Sequence, residues 1–183
     1  MTETMMNNEN LPLIYLSILL VLLSIAAVVV LRQVIKTRKI ETTFSRLQIK
    51  LQKEKGTAIE YYELGSLYLD KKLFSQSIKI LEKALKVAET EEVEPENKAL
   101  IYNAIGYGYF AQEQYDLAIR NYKEALKLYP EYVIALNNLG NVYEKKQLTV
   151  QALEIYEQSL NYEATNKTAK KRAESLRKRV VKK

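Results

Sequence analysis

The chain offers few of the side chains that carry out catalysis. Its 183 residues include no Cys and no His, which removes thiolate metal sites, cysteine nucleophiles, disulfides and the commonest general base. The densest titratable group is the acidic run Glu89–Glu96, whose carboxylates would have to act as general acid and base in a hydrolase. We expect this run to be a solvated loop instead. The sequence therefore predicts a protein that is not an enzyme and needs neither cofactor nor metal.

Tyrosine is the most abundant group that could make specific contacts, with fourteen residues in the chain. Many of them recur at fixed distances from glycines, which indicates an internal repeat. Gly106 and Gly140 are 34 residues apart, whereas Gly65 and Gly106 are 41 apart. The first interval therefore contains seven extra residues, which lie in the acidic run.

The repeated pattern has two halves, which we call helix A and helix B. Helix A requires a large residue, a Leu, a Gly and a Tyr. Unit by unit these are Tyr61, Leu64, Gly65 and Tyr68, then Tyr102, Ile105, Gly106 and Tyr109, then Leu136, Leu139, Gly140 and Tyr143. Helix B requires small, large and small residues, which are Ser77, Leu81 and Ala84, then Ala118, Tyr122 and Ala125, then Ala152, Tyr156 and Ser159. This is the tetratricopeptide pattern.

The pattern predicts an all-α fold because small residues at each A–B crossing let two antiparallel helices approach closely. One helix pair cannot bury its apolar face alone, so three units must stack into an α-solenoid. We predict repeats over 58–98, 99–132 and 133–164, and only the second of them retains the closing proline of the pattern, Pro130. The segment 165–183 follows as a basic capping helix with one apolar stripe, which consists of Ala169, Ala173, Leu176 and Val180.

In tetratricopeptide domains helix A lines the concave face, so a binding groove is expected there. The residues predicted to line it are Tyr62, Ser66, Leu69, Asp70, Asn103, Tyr107, Phe110, Ala111, Asn137, Asn141, Glu144 and Lys145. Aromatic rings supply contact area and amides bond to a peptide backbone, which favours a protein partner. An alternative is that some of these rings only pack between units. Chaperone-binding relatives need Lys and Arg where this chain has Tyr62, Ser66, Ile134 and Asn138, so docking of an EEVD-type tail is not expected.

The segment 11–31 contains 21 residues without a charge. A helix of that length spans roughly 30 Å, the thickness of a hydrocarbon core. A cleaved signal peptide would require a positively charged segment before its apolar run, but no Lys or Arg precedes Arg32. Basic residues instead follow the apolar run directly. We therefore predict a retained single-pass anchor. The positive-inside rule places the short segment 1–10 across the membrane and residues 32–183 in the cytoplasm or its organellar equivalent.

The net charge of +6 is unevenly distributed along the chain. The linker 32–57 is basic and predicted to be helical, with an apolar stripe of Ile40, Phe44, Leu47 and Leu51 that packs on the first repeat or forms a short coiled coil. Residues 56–166 hold eleven basic against seventeen acidic residues, and 167–183 hold nine against one. Contact of residues 32–55 with anionic lipid is compatible with this pattern. No base-reading motif accompanies the basic tail, so no nucleic-acid partner is expected.

An anchor, a basic linker, three repeats and a basic end together resemble the membrane-anchored photosystem I assembly factors of cyanobacteria and red-algal plastids, catalogued as hypothetical chloroplast reading frame thirty-seven. The resemblance implies a thylakoid anchor, a stromal repeat domain, and photosystem I subunits or other assembly factors as partners. The alternative is a membrane-anchored receptor or adaptor in protein import, secretion or the assembly of another complex.

Overall fold

The computed structural model describes residues 11–180, which form eight α-helices and, within that range, no strand. The helices are α1 Leu11–Lys53, α2 Ala58–Asp70, α3 Phe74–Thr90, α4 Pro95–Ala111, α5 Tyr115–Leu128, α6 Val133–Lys145, α7 Thr149–Tyr162 and α8 Lys167–Val180. The predicted all-α class is confirmed. The predicted N-terminal segment 1–10 and the last three residues of the tail lie outside the described residues.

Helix α1 is long and apolar enough to cross a membrane, by length and composition. In the window that meets this criterion none of the side chains is buried. The chain divides into two structural units between Arg46 and Leu47. The first unit therefore holds the apolar part of α1, and the second holds the end of α1 together with all the other helices.

In the second unit the last turns of α1 join the helical stack. Leu47 is buried and Leu51 packs against the core around α2. The helical conformation is interrupted around Gly56, and α2 then begins with a capping box. The Glu60 N–H donates to Thr57 Oγ1 at 3.3 Å, and the Thr57 N–H donates to Glu60 Oε2 at 3.1 Å. These bonds satisfy two backbone donors that a helix start leaves open.

The six helices from α2 to α7 form three antiparallel pairs, and the repeat glycines lie at the crossings. A Cβ on Gly106 would be 2.7 Å from the ring of Tyr122, and one on Gly140 would be 2.8 Å from that of Tyr156. Both rings are almost completely buried. Glycine is therefore favoured at these positions because a Cβ would overlap a buried ring.

Each A–B turn is closed by a residue in the left-handed region. Lys72, Glu113 and Gln147 have φ values of 59°, 60° and 60°. The N–H that follows each of them donates to a carbonyl five residues back, which is the Schellman arrangement. Glycine normally occupies this position because other residues are strained there. All three turns thus carry a small conformational cost.

The glutamates of the acidic run Glu89–Glu96 are exposed to solvent, as expected, but only residues 91–94 lie outside the helices. α3 extends to Thr90 and α4 begins at Pro95, so the extra residues lengthen two helices and leave only a short turn between them. Within that turn, Glu91 Oε2 accepts a hydrogen bond from the Ala58 N–H at 3.0 Å. A carboxylate suits this position because the Ala58 N–H, at the first position of α2, has no acceptor within its own helix. Glu91 thus has a structural role at the start of the first repeat.

The stack ends on α8, which buries Ala169, Ala173 and Leu176 against α7 and its surroundings. Asn166 caps this helix, since its Oδ1 accepts from the Ala169 N–H at 3.0 Å. The Asn166 amide also donates to Ser159 Oγ at 3.3 Å, although both side chains are buried. Buried polar groups paired in this way fix one position of a helix. α8 is accordingly an integral part of the stack.

Candidate protein-binding groove

The predicted groove residues lie on α2, α4 and α6, the A helices of the three repeats. Tyr107 is the most exposed ring among them, at 44 %. Tyr62, Ser66, Asn137 and Asn141 are half-buried. Spacings of three, four and seven residues place each set on one side of its helix. These A-helix sides form the surface that we call the groove.

Asn103 joins the second and third repeats. Its Oδ1 accepts from Asn138 Nδ2 at 2.9 Å, and its Nδ2 donates to the Tyr132 hydroxyl at 3.3 Å. Burial, with a further contribution from the nearby Tyr62, raises the pKa of Tyr132 to about 12. The hydroxyl therefore stays protonated at neutral pH. Both the oxygen and the nitrogen of the Asn103 amide therefore bond within the protein, and the bond to Asn138 holds α4 and α6 in register.

Two further predicted residues also bond within the protein. Asn137 Oδ1 accepts from Ser159 Oγ at 3.0 Å, and Glu144 Oε1 accepts from the Tyr156 hydroxyl at 2.9 Å. Burial is the main cause of the raised pKa of Tyr156, and the bond to Glu144 adds to it. Glu144 also lies 3.7 Å from Arg172 on α8. Both residues thus connect the groove to the helices behind it.

Leu69 and Phe110 have packing partners in the stack. Leu69 packs against the core around α2 and α3. Phe110 packs against the core of the last two repeats, and its ring centroid is 6.0 Å from that of Tyr115. The remaining predicted residues at the turn ends of the A helices are the exposed Asp70 and Lys145 and the half-buried Ala111.

The structure adds an apolar row that the sequence reasoning did not assign to the groove. Ile59 and Ile134 are 72 % and 57 % exposed at the starts of α2 and α6. Leu100 occupies the equivalent place on α4. Ile59, Tyr62 and Leu100 line a cleft of about 250 Å³ between α2 and α4. The available signal was that an apolar residue recurs six residues before the repeat glycine in all three A helices.

The groove has the chemistry of a peptide-binding surface. Its exposed side chains include Ile59, Ile134 and Tyr107, and the half-buried Asn141 adds an amide, so apolar contact is combined with a group that can bond to a peptide backbone. Among the described residues no group of three carboxylates is arranged to hold a metal ion. The clamp positions carry Tyr62, Ser66, Ile134 and Asn138, which provide no cation for a carboxylate tail. The arrangement suits an apolar or amphipathic segment.

Comparisons with known proteins agree with this fold. A family model described as tetratricopeptide repeat matches residues 57–131 and 99–163. A solved structure titled as the first TPR of Spaghetti (RPAP3), bound to the HSP90 peptide SRMEEVD, superposes with a TM-score of 0.61. It shares 19 % sequence identity and covers 68 % of this chain and 94 % of that one. At that identity the likeness concerns the fold alone.

Two relatives extend the similarity beyond the repeats. The ycf37 protein of Cyanophora paradoxa is 37 % identical over 142 residues, which cover 78 % of this chain and 81 % of that protein. The chloroplastic tetratricopeptide repeat domain-containing protein PYG7 of Arabidopsis thaliana is 34 % identical over 171 residues, or 93 % of this chain and 56 % of that protein. By its repeats and by these relatives, the chain belongs to the ycf37 family of tetratricopeptide-repeat proteins.

Proposed function

We propose that this chain is a membrane-tethered scaffold that holds protein partners while photosystem I is assembled or stabilised. The observation that carries the scaffold function is the apolar row on the A-helix face, in which Ile59 and Ile134 are exposed and Leu100 is half-buried. Such a row is costly to leave in water, since burying apolar area contributes about 25 cal/mol per Å². A partner segment that covers it would recover this free energy.

The tether is the apolar part of α1. Its length and composition suit a membrane span, and the basic residues that follow, from Arg32 onward, favour retention on the stromal or cytoplasmic side. A plastid location is supported by the chloroplastic name of the Arabidopsis relative. In this proposal the anchor lies in the thylakoid and the repeats face the stroma. The role in photosystem I assembly is inferred from the family resemblance, which implies photosystem I subunits or other assembly factors as partners.

Deletion of the gene tests the proposal, with photosystem I and photosystem II quantified in the same membranes. We expect photosystem I to fall and photosystem II to be largely retained. Re-expression of the parent chain should restore photosystem I, whereas a chain with Ile59→Ser and Ile134→Ser should restore it only in part. Both substitutions are at exposed positions, so folding should be preserved. Unchanged photosystem I in the deletion strain would overturn the proposal.

The same strain can reveal the alternative function. A receptor in import or secretion would leave photosystem I intact, and crosslinking would retrieve precursor proteins or translocon subunits. A scaffold for photosystem I would retrieve photosystem subunits or assembly factors. The identity of the crosslinked proteins therefore separates the two functions.

A further inference from the structure

Helix α8 does more than cover the end of the stack, because its two sides have different electrostatic surroundings. On one side Arg177 pairs with Glu157 of α7, with an N–O distance of 2.7 Å. On the other side Arg172 lies 3.7 Å from Glu144 of α6, an A helix. The side of α8 that carries Arg172 therefore adjoins the groove, and the side that carries Arg177 faces the B helices.

Arg179 lies on the groove side as well. It is seven residues from Arg172, which is two turns or roughly 10 Å along the helix. Arg179 also lines a cleft with Glu144, Gln147 and Thr149. Within residues 11–180 it has no ion pair, and the 3.7 Å separation of Arg172 from Glu144 is longer than a hydrogen bond. Both guanidinium groups thus retain donors for another acceptor.

The position of α8 is fixed, which is necessary for it to serve as a binding wall. Its cap residue Asn166 bonds to Ser159, and Ser159 Oγ donates to Asn137 in the groove. This chain of side chains connects the start of α8 directly to the A-helix surface. The groove thus has the apolar Ile59 at the end formed by α2 and basic residues at the end formed by α8.

We propose that the groove binds a protein segment in which apolar residues are followed by carboxylates, with the carboxylates at Arg172 and Arg179. The proposal rests on the protein-binding function proposed above and names the chemistry of the partner. Charge complementarity selects this occupant, because the apolar row alone would accept a segment of any charge. Glu144 is the one carboxylate of the groove that adjoins both arginines, so it weakens the binding of an acidic segment.

The test uses the full chain in nanodiscs of neutral lipid and three fluorescent peptides. All three share one half rich in Leu and Ile, and their other halves carry glutamates, glutamines or lysines. We expect the glutamate peptide to bind most tightly and to lose its advantage as the salt concentration rises. The variant with Arg172→Gln and Arg179→Gln should weaken its binding roughly five-fold or more, which is near the middle of the range that two exposed charge pairs contribute.

Two further variants make the test directional. Arg177→Gln removes the same type of charge from the other side of α8, and it should leave binding within about two-fold of the parent. Glu144→Gln removes the competing carboxylate while its amide oxygen can still accept from Tyr156, so it should tighten binding of the glutamate peptide. Circular dichroism of each variant checks that the helices are intact.

Several results would overturn the proposal. Equal binding of the three peptides would leave a protein-binding groove without a charge preference. An equal loss in Arg177→Gln would show that only net charge acts. If anionic nanodiscs protected the α8 amides from hydrogen exchange and abolished peptide binding, the arginines would be shown to bind lipid instead of a peptide. Failure of every peptide to bind would also reject it, whereas the deletion strain tests the photosystem function independently.

Discussion

The substitution Gly106→Ala tests the packing that holds each A–B pair together. The added methyl carbon would lie 2.7 Å from Cε1 and 2.8 Å from Cδ1 of Tyr122, whereas carbons in contact prefer roughly 3.5–4.0 Å. The ring is 1 % exposed and cannot move into solvent. Overpacking of this type costs about 1–3 kcal/mol, and the better helix propensity of alanine returns about 1 kcal/mol. We expect a net loss of about 1 kcal/mol, within a range of about 0–2 kcal/mol, and more than about 3 kcal/mol for Gly106→Leu.

Circular dichroism of the full chain in detergent should show the melting temperature falling by about 4–8 °C for the alanine variant. Gly140→Ala repeats the experiment in the third unit, where Tyr156 is the obstacle, and should behave alike. Gly108→Ala is the graded control, because its methyl carbon would meet Ile78 Cγ1 at 2.9 Å and Cδ1 at 3.3 Å, which is less crowded than the Tyr122 ring, and its loss should be smaller. A Gly106→Ala chain that melts at or above the parent temperature would refute the reasoning.

Glu113→Gly and Gln147→Gly should each stabilise the chain by about 0.5 kcal/mol, seen as a higher urea midpoint, because relief of positive-φ strain exceeds the entropic cost of glycine. Burial raises the pKa of Tyr132 to about 12. The stabilisation linked to this raised pKa is therefore complete below about pH 10 and is lost as the pH rises towards 12. Urea midpoints at about pH 9 and pH 11 should therefore diverge less in Tyr132→Phe than in the parent. Asn103→Ala with Asn137→Ala should weaken partner capture and also lower the free energy of unfolding by about 1–3 kcal/mol, because both amides bond internally; unchanged melting would contradict this.

The repeat fold could be predicted from sequence because close helix crossings demand small residues at a fixed period. Gly106 and Gly140 reveal that period, and Tyr122 and Tyr156 are the large residues that fill the crossings. The match of pattern and packing follows because each repeat contacts only its neighbours, so local spacing determines most of the stack.

The details of the groove could not be predicted in the same way. The bond between Asn103 and Asn138 depends on the angle between successive repeats, which no spacing reveals. Glu91 caps a helix 33 residues earlier in the chain, a contact without a local signal. Ile59 was not predicted as a groove residue, and Ile134 was identified only as a clamp position without a cation. Exposed apolar residues are common on protein surfaces, and only their recurrence on one face marks these two.

The most direct test of the central claim is site-specific photocrosslinking in intact membranes. A photoreactive amino acid replaces Tyr107 or Ile134 on the A-helix face, or the exposed Lys123 on α5 as a control on the B-helix side. The account predicts discrete crosslinked proteins from both A-helix positions and none from Lys123. Crosslinks confined to Lys123, or equal yields from all three positions, would contradict a groove that binds protein partners.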